Sequence, residues 1–147
     1  KNPTDKQYME HLVSVAREEL EHFDAVYTLM RERSVALVRD RPDPYVNELM
    51  NHMRHGRDDR LLDRLVVASL VETRGAERFG LVARNITCPR LAEFYARLYK
   101  TEVKHGHVFM RFALTCFDAD AVADRAREFT AVESKIMAGM DVRPALH

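Results

Sequence analysis

Apolar residues recur along this chain at alternating steps of three and four, the spacing that lines one face of a helix. The first stripe passes through Leu12, Ala16, Phe23, Val26 and Met30. It predicts a helix from about Asp5 to Arg33, with Thr4 as N-cap and Gln7 at the capping-box position. One step of the stripe lacks an apolar residue, and Glu19 fills it. "RDRPDP", Arg39 to Pro44, then breaks the pattern. A short helix from Tyr45 to His55, closed near Gly56, is expected next. Asp58 or Asp59 caps a long helix to about Arg84, whose stripe reads Leu62, Leu65, Ser69, Glu72, Ala76, Phe79. A glutamate again takes an interior position.

After "NITCPR", with Thr87 as the cap and Pro89 in the first turn, a further helix runs to about Phe117. Its stripe is Leu91, Tyr95, Leu98, Glu102, His105, Phe109, Phe112. "DAD", Asp118 to Asp120, precedes a last helix to about Ala138, and "MAGMDVRPALH" reads as an extended tail. Long amphipathic helices without strand signals predict an all-α antiparallel bundle in a single domain spanning residues 1–147.

Composition agrees. Five glycines, five prolines and no tryptophan in 147 residues suit a helical chain with few turns. The 23 basic residues balance 23 acidic ones, so any nucleic-acid surface must be a local patch rather than a global charge. Cys88 and Cys116 have no C-x-x-C spacing and fit free thiols of a reducing compartment better than a disulfide. No apolar run approaches ~18 residues, the minimum for a membrane span, and no secretory signal opens the chain. A cytoplasmic location is expected.

The polar residues on the stripes carry the chemistry. Glu19 and His22 are spaced i, i+3, as are Glu102 and His105, and Glu72 stands between the two pairs. Residues three apart share a helix face and can approach one point. Several carboxylates facing one interior repel one another unless a cation lies between them. Mixed carboxylate and imidazole donors suit iron or manganese. Ferritin-type bundles build such a centre from two single glutamates and two Glu-x-x-His motifs. "ELEH", Glu72 and "EVKH" fit that order, and the single glutamate of a helix preceding "ELEH" is missing.

Plainer readings remain for each element. A lone Glu-x-x-His is usually an exposed polar pair, and a buried ion-pair network with Arg17, Arg74 and Arg78 is the structural alternative, although those arginines fall off the stripes. Glu18 and Glu21 face away from the first stripe, Glu77 flanks the second, and His107 points to another side from His105. His11, His52 and His55 read as surface residues, Tyr95 and Tyr99 as core, and Met30, Met50 and Met53 as packing.

The blocks "AREELEHFDAV", "LVVASLVETRGAERFGLVA" and "LAEFYARLYKTEVKHGHVF" reach further than the metal motif. With "REFTAVESKIM" they make most of the chain resemble the tRNA 2-methylthio-isopentenyladenosine hydroxylases, the MiaE family. The resemblance implies a ferritin-like fold, a non-haem di-iron centre and iron ligands at Glu19, His22, Glu72, Glu102 and His105. Members often carry two adjacent histidines in the first block, and Glu21 stands in place of one of them here. The family's first ligand comes from a helix that would precede Lys1, so the expectation is a bundle lacking its N-terminal helix.

The implied reaction is oxygen-dependent hydroxylation of the isopentenyl group on a modified adenosine beside the tRNA anticodon. It calls for two iron ions, molecular oxygen as co-substrate, a tRNA substrate and an external electron donor. The modified base must leave its stack to react. A tRNA partner directs attention to Arg54, Arg57, Arg60 and Arg64, with Arg39, Arg41 and His55 nearby, as phosphate contacts. Asp40, Asp43, Asp58, Asp59 and Asp63 interleave with them, so a merely solvated mixed-charge surface competes with this reading. The ligand motif alone also fits a ferritin- or rubrerythrin-like protein for iron storage or peroxide handling; the wider blocks favour the hydroxylase. A metal-free helical interaction module is the third possibility.

Overall fold

The computed structural model describes residues 5–39 and 41–141, and the side chains from residue 9 onward. Expectations for Thr4, Gln7, Asp40 and the tail beyond Asp141, with His147, lie outside the described residues. Every regular element among the described residues is helical: α1 (Asp5–Glu32), α2 (Pro44–Asn51), α3 (Arg57–Asn85), α4 (Pro89–Cys116) and α5 (Ala119–Gly139). Two compact units divide them, Asn2–Pro42 with α1 and Asp43–His147 with α2 to α5. No described helix is long and apolar enough to cross a membrane.

In the first unit, α1 ends where Ser34 enters the left-handed region at φ 56°. There Val35 N–H returns to the Met30 carbonyl over 2.9 Å, satisfying a carbonyl of the last turn. The half-buried line of this helix runs through Leu12, Val15, Glu18, His22, Ala25 and Leu29. That corrects the expected stripe. Phe23 and Val26 are exposed, and so is Glu19, while Glu18 is half-buried and accepts a hydrogen bond from Ser14 Oγ. The cause is the breadth of apolar cover on α1. Met9, Val13, Leu20, Phe23 and Tyr27 form a second helical line, so periodicity alone did not select the half-buried one.

In the second unit, α3 and α4 form an antiparallel hairpin across the short Ile86–Cys88 link, and α5 packs on α2, α3 and α4. The core is apolar: Tyr45, Leu49, Leu65, Phe94, Val122 and Phe129 are all buried. The Asp43 side chain caps α2 by accepting from the N–H groups of Tyr45 and Val46, and Asp118 caps α5 through those of Asp120 and Ala121. Two expected caps move. Gly56 opens α3, at φ 105°, rather than closing α2, and Asp58 and Asp59 sit in its first turn. Cys88, not Thr87, is the N-cap of α4. A glycine between two short-range helical patterns can serve either neighbour, and here α2 already stops at a His52 cap.

Two buried carboxylates lock the elements together. Asp63 is fully buried and takes hydrogen bonds from Arg54 Nη2 at 2.8 Å, Arg54 N at 2.7 Å and Arg125 Nε at 2.7 Å. Arg125 also reaches the His52 carbonyl at 2.9 Å and lies over the Phe129 ring, tying α5 to the end of α2. Glu133 on α5 accepts from the Tyr45 hydroxyl and from Arg74 Nε and Nη2. Asp63 is therefore not one of the solvated charges between the arginines. Arg74 does join a buried ion pair, though its partner is Glu133.

Candidate metal centre

The hairpin decides which polar residues meet. Glu72 sits midway along α3, and Glu102 and His105 occupy successive turns of α4. Antiparallel pairing brings them to one level, where each offers a ligand atom and all three atoms lie within 4.8 Å of one another. Glu102 is 5% exposed and His105 2%, and Glu72 is half-buried. His105 Nδ1 stands 3.3 Å from Glu102 Oε2. Two carboxylates this close, one of them out of water, oppose each other's charge. A divalent cation resolves that conflict and fits hard oxygen donors with one borderline imidazole. The donor set of this unit therefore suits a metal ion.

Glu19 and His22 form a pair on α1. His22 Nδ1 lies 3.7 Å from Glu19 Oε2, with the histidine side chain 18% exposed and the glutamate 47%. The i, i+3 spacing does place them on one face, as expected, but Glu19 lies at the margin of the half-buried line rather than on it. Glu21 and His107 are exposed, as are His52 and His55. Glu77 is exposed and pairs with Arg74. Tyr99, expected in the core, is 39% exposed, and Met50, expected to fill packing gaps, is 47% exposed. Cys88 and Cys116 are free.

The arginine cluster splits. Arg54 is held by Asp63 and also meets Asp59 at 2.9 Å. Its guanidinium is part of the fold. Arg57, Arg60 and Arg64 are exposed on the first two turns of α3, at spacings of three and four that put them on one face.

An all-helical fold with a carboxylate–histidine cluster between antiparallel helices is the ferritin-like class. The chain is similar over 92% of its length to a solved structure described as Protein 43 with aldehyde deformylating oxygenase activity from Synechococcus. That likeness has a TM-score of 0.86 and 32% identity, and covers 67% of the other chain. Residues 1–147 match the tRNA-(MS[2]IO[6]A)-hydroxylase (MiaE) family, and the chain belongs to it. Two curated relatives carry the name tRNA 2-(methylsulfanyl)-N(6)-isopentenyladenosine(37) hydroxylase. The one from Salmonella typhimurium is 26% identical over 95% of this chain, and the one from Pseudomonas putida 29% over 90%. The chain spans 51% of the first relative's length and 64% of the second's.

Proposed function

We propose that this chain is the iron-binding part of an oxygen-dependent hydroxylase acting on the isopentenyl group of 2-methylthio-isopentenyladenosine in tRNA. The observation that carries the reading is the convergence of Glu72, Glu102 and His105 between α3 and α4; family membership supports this choice of substrate. In this reading Glu19 and His22 join those three as ligands of two iron ions. When bound, the irons supply the oxygen-activating redox chemistry that an unreactive C–H bond demands, with electrons from an external donor.

The residues' own tasks follow from their setting. Glu72 and Glu102 supply negative charge, and Glu102, being buried, keeps it undiluted by solvent. His105 must stay neutral to donate a lone pair, so protons compete with a metal ion for its ring nitrogen. The exposed face of Arg57, Arg60 and Arg64 takes tRNA phosphates, while Arg54 holds the start of α3 in place. A tRNA substrate places the protein in the cytoplasm.

A second reading has support from the Synechococcus structure, named for an aldehyde deformylating oxygenase activity and similar at 32% identity. The same centre would then serve an aldehyde. One experiment separates them: protein supplied with ferrous iron, oxygen and a reductant is offered tRNA bearing the modified adenosine, or an aliphatic aldehyde. Hydroxylated nucleoside in the tRNA digest is expected. Turnover of the aldehyde alone would favour the second reading. Rapid peroxide consumption with neither product would favour an iron-handling protein.

A further inference from the structure

The stripe of α3 carries one more polar residue. Ser69 is buried one turn before Glu72, and its Oγ donates to the carbonyl of Gly106 over 2.9 Å. Gly106 is itself buried and directly follows His105. Thr73, beside Glu72, donates its hydroxyl to the Ser69 carbonyl over 2.7 Å. A Cβ built on Gly106 would stand 2.9 Å from Thr73 Oγ1 and 3.3 Å from the Ser69 carbonyl oxygen. Here, then, α4 comes as near to α3 as an absent side chain allows, and a hydrogen bond spans the gap.

We infer that Ser69, Thr73 and Gly106 are positioning residues that set the α3–α4 separation at which Glu72 reaches the same point as Glu102 and His105. This rests on the metal reading above. Helices packed through ordinary side chains stand ~8–10 Å apart, and only small residues permit closer approach. Glutamate and histidine can meet across ordinary helix packing, but their donor atoms move with the backbones that carry them. The backbone separation beside them therefore sets how well donors from the two helices meet at one point. The Ser69 bond fixes that approach at Gly106, and Thr73 occupies the space a larger residue at 106 would need. The first contact is one turn from Glu72, and Gly106 lies next to His105, so a change in separation here moves donor atoms rather than distant surface.

Co(II) is a suitable probe, because its visible absorption reports both occupancy and coordination geometry. The comparison uses the unaltered protein, Gly106→Ala, Ser69→Ala, and Gly106→Ala combined with Thr73→Ala. Helicity and metal-free thermal stability are recorded for each. Gly106→Ala is expected to weaken Co(II) binding about tenfold and to change the absorption band, the scale at which supporting residues affect metal sites. Adding Thr73→Ala removes the nearest clash and is expected to restore part of the affinity. Ser69→Ala, which introduces no crowding, serves if Gly106→Ala does not fold, and is expected to weaken binding less than tenfold while altering the band.

Loss of metal-free stability with an unchanged band and unchanged affinity in the folded protein would mean a merely structural contact, and overturns the inference. An affinity that falls in Gly106→Ala and is not recovered by the second change overturns the steric account. If the unaltered protein binds no Co(II) at all, the metal reading fails and this inference with it.

Discussion

Tyr45 gives its hydroxyl proton to Glu133 Oε1 across 2.7 Å, joining α2 to α5 between two residues that are both buried. Arg74 of α3 meets the same carboxylate through Nε at 2.8 Å and Nη2 at 2.9 Å. Burial alone would raise the Glu133 pKa, but the hydrogen bonds from Arg74 and Tyr45 overcome it and hold the group ionised, below its ordinary value. Burial, with the bond to Glu133 adding to it, pushes the Tyr45 hydroxyl well above the usual phenol range. One carboxylate thus ties three helices.

The two partners of Glu133 should differ in weight. Tyr45→Phe removes one hydrogen bond and leaves Glu133 held by Arg74, so a loss of about 1 kcal/mol is expected. Glu133→Ala leaves a buried phenol without its acceptor and the half-buried Arg74 guanidinium with Glu77 alone, and a loss of about 3 kcal/mol is expected. Denaturant unfolding measures both. Equal losses would mean that Arg74 contributes nothing at this point.

Asp63 makes a prediction about pH. Burial raises its pKa, and hydrogen bonds from Arg125 and Arg54 outweigh that, bringing it from 3.8 down to about 2. A carboxyl with a lower pKa folded than unfolded stabilises the fold at pH values above the unfolded one. That stabilisation is lost as pH falls through the folded value. The protein should therefore lose about 2 kcal/mol between pH 4 and pH 2 from this group, at ~1.4 kcal/mol per pKa unit. Asp63→Asn should be less stable at pH 7 and should flatten the acid limb. A limb of unchanged steepness in the variant would assign the acid sensitivity elsewhere.

The α3–α4 cluster was legible because it breaks a pattern. Glu72, Glu102 and His105 interrupt apolar stripes and are half-buried or buried, whereas Glu19, which breaks the α1 stripe in the same way, is exposed. Pro89 and Asp118 likewise announced their helix starts through local chemistry. Asp63 and Glu133 were not legible. Their partners Arg125 and Arg74 lie 62 and 59 residues away, and Arg54, nine residues from Asp63, is one of several nearby arginines that give no sign in sequence of which carboxylate is buried. On α1 the difficulty was the reverse. Apolar residues cover so much of its circumference that choosing Phe23 over His22 turned the inferred face by about 100°, one residue's rotation in a helix.

The metal reading has a consequence for stability that needs no substrate. A cation that binds only the folded protein stabilises it by mass action, about 2.7 kcal/mol at a hundredfold excess over Kd. Ferrous iron added without oxygen should therefore raise the melting temperature. Glu102→Gln keeps the shape and removes the buried charge. Its metal-free melting temperature should equal or exceed that of the unaltered protein, because a carboxylate repelling Glu72 is gone, while the rise on adding iron should largely vanish. A rise of equal size in Glu102→Gln would place the bound metal elsewhere.

Gly56 and Gly139 form an internal control for backbone effects. Neither has an atom within 4 Å of where a Cβ would stand, so crowding plays no part at either. Gly56 holds φ 105° and ψ 153°, a region essentially reserved for glycine, and Gly56→Ala should cost about 1–3 kcal/mol. Gly139 ends α5 without a positive φ, and alanine there should be neutral or gain up to about 1 kcal/mol. Thermal unfolding of the two variants tests this, and a neutral Gly56→Ala would mean that the α2–α3 link relaxes freely.

The arginines at the start of α3 separate binding from folding. Arg57, Arg60 and Arg64 are exposed on one face, whereas Arg54 is committed to Asp63 and Asp59. If the exposed three contact tRNA phosphates, replacing any one by alanine should weaken binding at low salt. It should also reduce the slope of log affinity against log salt by about 0.7–0.9. Their melting temperatures should stay within the range of ordinary surface changes, about 0.5 kcal/mol in stability. Arg54→Ala should do the opposite. It removes three hydrogen bonds to Asp63 from its side chain, leaving the backbone one and those from Arg125. Stability should drop by about 1–3 kcal/mol, while the salt slope of the protein that remains folded is preserved. Filter binding across a salt series and denaturant unfolding give the two readouts. Slopes that do not change in any of the three exposed variants would remove this face from the tRNA surface and leave it a solvated, mixed-charge one.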